Sequence, residues 1–236
     1  MESKKDDFFV YTATSELYNL KCAVNYNRFL KNLILATLPP HEKHNLKILD
    51  IGAGIGTFAE MLKNDRFNVL CVELDRKQQE IIREKGLEVV SSIDEISDNS
   101  VDLIYSLNVL EHIENDTEEF SKWVKKLKKG GKILIYVPAF NCIWSSLDTK
   151  VEHYRRYTKK TLEKIFVSAN IKIQKSEYVD CLGFFAALVY KFLNKNGELT
   201  KKSLLFYDRI VFPLSRIFDT LFCNYFGKNV FVVGVK

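Results

Sequence analysis

The 236-residue chain has few cysteines, and none is spaced for chemistry. Cys22, Cys71, Cys142, Cys181 and Cys223 are odd in number and form no C-x-x-C pair. That excludes a zinc-finger pattern and a disulfide framework, and reduced thiols in a cytoplasmic protein are the simple expectation. No uninterrupted apolar run reaches the roughly 18 residues a membrane-spanning helix needs. Met1 to Asp7 leads into no apolar h-region, so no secretory signal is expected. The net charge of +5 is mild and its Lys and Arg are scattered, with no arginine-rich helix, which argues against a nucleic-acid partner. The densest basic cluster, Lys125, Lys126, Lys128 and Lys129, falls at the end of a predicted helix over 116–128, where positive charge complements the helix dipole. There is no internal repeat and no low-complexity linker. With 47% hydrophobic and 28% charged residues, the chain reads as one globular domain.

Against these absences stands Ile48-Leu49-Asp50-Ile51-Gly52-Ala53-Gly54-Ile55-Gly56. A buried strand here runs into three glycines spaced by two. Such a turn lets the backbone approach a ligand closely. Thr57 follows the third glycine, so the dinucleotide pattern G-x-G-x-x-G is not met and an NAD-dependent dehydrogenase is disfavoured. Val69 to Val72 reads as a second strand ending at Glu73, where an acid can accept hydrogen bonds from both ribose hydroxyls. Asp75 competes for that role, and Glu73 is preferred because it lies at the strand end. Strands at 46–51, 67–73, 87–91, 101–106 and 132–137 alternate with helices at 57–64, 76–85 and 116–128. Alternation of this kind predicts a parallel sheet with helices on both faces and a ligand crevice at the carboxyl ends of the strands. Before them, apolar positions at helical spacing predict one helix over 15–37, ended by Pro39-Pro40. Beyond them, Thr158 should cap a helix over 159–169, with strands at 171–179 and 229–235.

Four segments carry a family resemblance. They are Asp50 to Gly56, the acid Glu73, Val109-Leu110-Glu111-His112 after a strand, and Gly130-Gly131 before a strand ending at Pro138. In this order the chain resembles the class I S-adenosylmethionine (SAM) methyltransferases, specifically over 46–170 and more weakly over 229–235. The resemblance implies an α/β fold, a Rossmann-like, seven-stranded, mostly parallel sheet with helices on both faces; the residue pattern adds a C-terminal helical insertion that the resemblance does not cover. By the same resemblance the last strand would insert antiparallel between the fifth and the sixth. One methyltransferase domain would then cover 1–236, with a helical cap at 1–45, a SAM-binding core at 46–180, an insertion at 181–228 and a last strand at 229–236. The cofactor would be SAM, surrounded by Asp50, Gly52, Ala53, Gly54, Gly56, Glu73, Leu74, Asn108, Val109 and His112. No metal is assigned.

His153-Tyr154-Arg155-Arg156-Tyr157-Thr158 resembles the substrate loop of the type 11 or type 23 branch of these enzymes. His153 is the candidate general base, because histidine titrates near neutral pH; otherwise it hydrogen-bonds a backbone carbonyl and fixes the loop. Arg155 and Arg156 either clamp an anionic acceptor or pair with nearby acids. A metal alternative joins Asn108, Glu111, His112 and His153, although the related E-x-x-E-H motif has glutamate where this chain has Asn108. The expected acceptor is an oxygen of a small molecule or glycan precursor. A quinone precursor or other lipid-linked acceptor is the alternative, and a non-catalytic SAM-binding partner subunit is another. Oligomeric state is not legible.

The insertion has an apolar run at Leu182–Leu193 and a turn signal at Asn194-Lys195-Asn196-Gly197. Leu204, Phe206, Ile210, Val211, Leu214, Ile217, Phe218, Leu221, Phe222 and Tyr225 then recur every three or four residues. This predicts an amphipathic helix, bent at Pro213, whose apolar stripe packs on the sheet near the sixth strand and walls the acceptor pocket. A dimer face and a peripheral membrane contact through 181–226 are the other readings.

Overall fold

The computed structural model describes residues 14–38, 46–193 and 200–236. Two helices open it, α1 (Thr14–Lys21) and α2 (Val24–Thr37). Then come β1 (Lys47–Ile51), α3 (Thr57–Asn64), β2 (Asn68–Val72), α4 (Arg76–Glu84) and β3 (Glu88–Val90). They are followed by β4 (Val101–Leu107), α5 (Asp116–Lys126), β5 (Leu127–Pro138), α6 (Ser146–Lys150), α7 (Lys159–Ser168) and β6 (Lys172–Val179). The insertion holds α8 (Cys181–Leu193), α9 (Lys201–Phe206) and α10 (Phe212–Phe222), and β7 (Asn229–Val235) closes the chain.

The sheet has the order β3-β2-β1-β4-β5-β7-β6. β1 to β5 pair in parallel, and β7 pairs antiparallel with both β5 and β6. This is the expected seven-stranded sheet, with its last strand where the resemblance placed it. Alternate side chains of the central strands feed two cores. Ile48, Leu103, Tyr105 and Leu134 pack with Leu30 and Ile34 of α2, Leu62 of α3 and Ile82 of α4. Leu49, Ile104, Ile133 and Ile135 pack with Phe120 and Trp123 of α5 and Leu162 and Phe166 of α7. Both faces are therefore buried, which is why these strands read as continuous apolar runs.

Three expectations change. The single helix over 15–37 is two, because Asp208 from the distant insertion caps α2: it accepts from the Asn25 N–H at 3.1 Å and the Tyr26 N–H at 2.9 Å. Pro39-Pro40 and the turn signal at 194–197 lie outside the described residues. The helix over 116–128 ends at Lys126, and Lys128 and Lys129 belong to β5. Lys126 pairs with Asp98 and Lys128 with Asp102, so half of that basic cluster is neutralised.

The largest difference is in the insertion. α9 and α10 are joined by a π-helical stretch at Tyr207–Val211, a widened turn next to Pro213, which has no N–H to donate. The stripe from Phe206 to Tyr225 does not face the sheet: Ile217, Leu221 and Tyr225 are exposed, and even Phe218 and Phe222 remain 43% and 37% accessible. The buried face carries Asp208, Phe212, Ser215 and Asp219 instead. Asp219 accepts from the N–H groups of Asp180 and Cys181 at 2.9 and 2.8 Å, and Ser215 Oγ accepts from the Leu182 N–H at 2.9 Å. The first N–H groups of a helix have no partner within it. Satisfying those of α2 and α8 in a dry interface is what turns the polar residues inward.

Candidate active site

The glycine turn joins β1 to α3. Gly52, Gly54 and Gly56 have φ of 70°, 57° and 70°, the left-handed region that side-chain-bearing residues avoid. At Gly52 an added Cβ would also lie 2.4 Å from Val109 Cγ2, so the turn and the post-β4 segment meet where only glycine fits. After β2, the buried Glu73 carboxylate accepts from the Gly54 N–H at 2.7 Å and the Asp75 N–H at 3.0 Å. Burial raises its pKa. Asp75 caps α4 by accepting from the Lys77 and Gln78 N–H groups, which engages its carboxylate at the helix start. Leu74 lies between them with an exposed side chain. Asp50 is buried within β1, one carboxylate oxygen has no partner, and burial raises its pKa to about 7. Asn108 makes the turn out of β4 at φ 55°, with its N–H on the Tyr136 carbonyl at 2.7 Å. The glycine turn, Glu73, Asn108 and Val109 thus share the carboxyl edge of the sheet, the expected place of a ligand cradle in such a fold. This suits a ribose and its adenosine: backbone can approach closely, and one carboxylate is available for hydroxyls.

His153 lies in the segment after α6, and its ring meets that of His112 edge-on at 4.5 Å. The loop is pinned by the Tyr154 N–H on the Glu111 carbonyl at 2.8 Å. Contrary to the backbone-anchor alternative, His153 Nδ1 is bonded to a carboxylate, Asp148 Oδ1, at 2.9 Å. Asp148 caps α6 from within, accepting from the Ser145 N–H, and also accepts from Arg156 Nε and Nη2 at 2.7 and 2.9 Å. Burial opposes its charge, but the hydrogen bonds from His153 and Arg156 outweigh burial and hold its carboxyl well below the usual range. Arg155 pairs with Asp116 at 3.0 Å and donates to the Glu114 carbonyl. Both arginines are committed within the protein, so the acceptor clamp is not what the geometry supports.

His153 Nε2 lies 3.8 Å from Glu111 Oε1. Glu111 is fully buried, and neither of its carboxylate oxygens has a hydrogen-bond partner. Burial pushes its pKa up to about 8. Burial and the neighbouring His153 push His112 down to about 4. One ligand atom from each of Glu111, His112 and His153 falls within a 4.8 Å cluster. The segment Trp144 to Asp148, expected from its place after the fifth strand to face the acceptor, carries a Ser145-x-x-Asp148 capping pattern, but nothing in that pattern points to the bond with His153. Tyr26 has no sequence signal for this neighbourhood. Tyr26 of α2 meets the Tyr136 ring edge-on at 6.3 Å, and burial pushes its pKa up to about 12.

A pH test follows for Glu111. Its folded pKa, near 8, lies above an unfolded carboxyl near about 4.3. The stability of the neutral form is therefore fully present below that unfolded value and is lost as pH rises through about 8. Glu111→Gln should flatten this slope, gaining on wild type by roughly 2–5 kcal/mol between about pH 5 and pH 9. Parallel melting curves across that range would mean Glu111 is ionised and partnered throughout.

A family described as "Methyltransferase domain" matches residues 23–176. The chain belongs to this methyltransferase family. By family and fold it is a class I, SAM-dependent methyltransferase, and SAM is the cofactor of that family. The methyltransferase is 28% identical over 137 residues to phosphoethanolamine N-methyltransferase 2 of Caenorhabditis elegans, covering 52% of this chain and 31% of that protein. It is 33% identical over 98 residues to the ubiquinone biosynthesis O-methyltransferase of Rickettsia conorii, covering 38% and 34%. It therefore spans about a third of the length of these two relatives. A solved SAM-dependent methyltransferase from Archaeoglobus fulgidus shares the fold, with a TM-score of 0.59 at 17% identity over 89% of this chain and 94% of that one.

Proposed function

We propose that the methyltransferase transfers a methyl group from SAM to a hydroxyl oxygen of a small molecule or glycan precursor, with His153 as general base. The observation that carries this is the Asp148–His153 pair. Asp148 is held ionised and can only accept, so the shared proton sits on His153 Nδ1 and leaves the Nε2 lone pair free. SAM supplies a methyl group already activated on a cationic sulfur. The protein's part is alignment and exclusion of water, and for a hydroxyl acceptor a base to take its proton. Nε2 is that base, held at the post-β4 segment that also borders the cofactor cradle. Relatives named as ubiquinone biosynthesis O-methyltransferases support oxygen, and a quinone precursor or other lipid-linked acceptor stays within the same chemistry. Relatives named for phosphoethanolamine support nitrogen, for which a free amine needs less help from a base.

A second reading rests on Glu111. Two unpartnered buried oxygens beside two histidines suit a divalent cation, which would hold the acceptor oxygen and favour its ionised form. The test is transfer of isotopically labelled methyl from SAM into hydroxyl and amine acceptors, with the new linkage assigned by NMR. An O-methyl product formed equally well in EDTA supports the base. Loss in EDTA, restored by Mg²⁺ or Mn²⁺, supports the cation. Methylation of amines alone overturns the oxygen reading, and SAM binding with no transfer to any acceptor leaves a SAM-binding partner subunit.

A further inference from the structure

The insertion is amphipathic in the inverted sense. From Phe206 to Tyr225, the residues buried against the rest of the protein are Asp208, Phe212, Ser215 and Asp219, and the exposed ones are mostly aromatic and aliphatic, with Arg209, Thr220 and Asn224 among them. Ile217, Leu221 and Tyr225 are 66%, 70% and 74% exposed. The face continues onto α8: the exposed Phe185 touches Phe226 at 5.6 Å between ring centroids, and Phe226 touches Phe222 at 5.3 Å. A monomer in water rarely leaves a contiguous apolar patch of this kind uncovered.

The charges around the patch say what covers it. In the described part of the insertion, the exposed charged residues are Lys191, Lys201, Lys202 and Arg209. Its two described acids, Asp208 and Asp219, are buried in the helix caps. A two-fold contact with a second copy would bring this positive surface against itself. An apolar face whose exposed charges, among the described residues of the insertion, are lysine and arginine is complementary to a surface with acyl chains inside and negative headgroups outside. No helix among the described residues is long and apolar enough to cross a membrane, so the contact would lie in the interface.

We propose that the methyltransferase docks on an anionic lipid bilayer through the outward face of α8, α9 and α10. The apolar side chains enter the headgroup boundary, and Lys201, Lys202 and Arg209 meet the negative lipids. This goes beyond the proposed transfer reaction and does not depend on it, because docking is read without turnover.

The test is co-sedimentation of the whole chain with phosphatidylcholine vesicles, with and without phosphatidylglycerol. Binding is expected only with phosphatidylglycerol and should weaken with added salt. Lys201→Ala with Lys202→Ala should weaken it by on the order of 25-fold, about fivefold for each lysine. Ile217→Asp with Leu221→Asp should abolish it. Both positions are exposed and outside the cofactor and acceptor machinery, so SAM affinity by calorimetry should stay at the wild-type value and report an intact fold. The lysine pair, which touches no core, gives an independent reading should the aspartates unfold the protein. Three results would overturn the proposal: no sedimentation with either vesicle, binding unaffected by both pairs of substitutions, or a dimer in chromatography that Ile217→Asp dissociates while vesicles are ignored.

Discussion

His153→Ala should lower turnover by roughly 10²–10⁴, the range for loss of a general base, and leave SAM affinity within a few-fold of wild type. The asymmetry follows from position: His153 contacts the post-β4 segment through Glu111 and His112, whereas the proposed cofactor cradle centres on the glycine turn and Glu73. Asp148→Asn should lower turnover in the same direction, since an amide cannot hold the Nδ1 proton as a carboxylate does, but it also loosens Arg156. The discriminating readout is the split between kcat and KM. Loss of a base lowers kcat and leaves KM nearly unchanged, while mere loosening of the loop raises KM. Activity within threefold of wild type would make His153 an anchor of the loop and no more.

Gly54→Val should abolish SAM binding, measured by calorimetry. Its φ of 57° is one that a β-branched residue adopts only under strain, and its N–H is bonded to Glu73. From sequence alone this substitution would be expected to spare the fold. The left-handed backbone instead predicts a lower melting temperature as well, from a penalty of about 1–3 kcal/mol. Glu73→Ala separates the two effects, because it leaves the backbone of the turn intact. It should weaken SAM by roughly 1–3 kcal/mol, the range for polar groups left unpaired. Asp75→Ala should instead cost stability, as loss of a helix cap does, with SAM affinity nearly unchanged. If Asp75→Ala weakens SAM and Glu73→Ala does not, the ribose role passes to Asp75. NAD binding without SAM binding would overturn the cofactor assignment itself.

The sequence by itself determined the sheet and its ligand edge. Strands buried on both faces are mostly apolar, and a turn with positive φ at Gly52, Gly54 and Gly56 favours glycine at each. The run from Ile48 to Gly56 therefore announces its place, and α3, beginning at Thr57 and ending at Asn64, falls where its spacing put it. Thr158 likewise caps α7 through a bond to the Thr161 N–H three residues away, a contact short enough to read directly. Only the tertiary structure decided matters in which the partner is far away in the chain. Asp208 splits the first helix from 182 residues downstream. Glu111, on the segment after β4, comes within 3.8 Å of Nε2 of His153, on the segment after α6. The insertion shows the limit most clearly: spacing reveals that Phe206 to Tyr225 is amphipathic, but not which side faces in. Apolar burial alone would have turned the stripe inward. The unsatisfied N–H groups at the starts of α2 and α8 required Asp208, Ser215 and Asp219 on that side, and a sequence pattern carries no record of such a requirement until the helices are packed together.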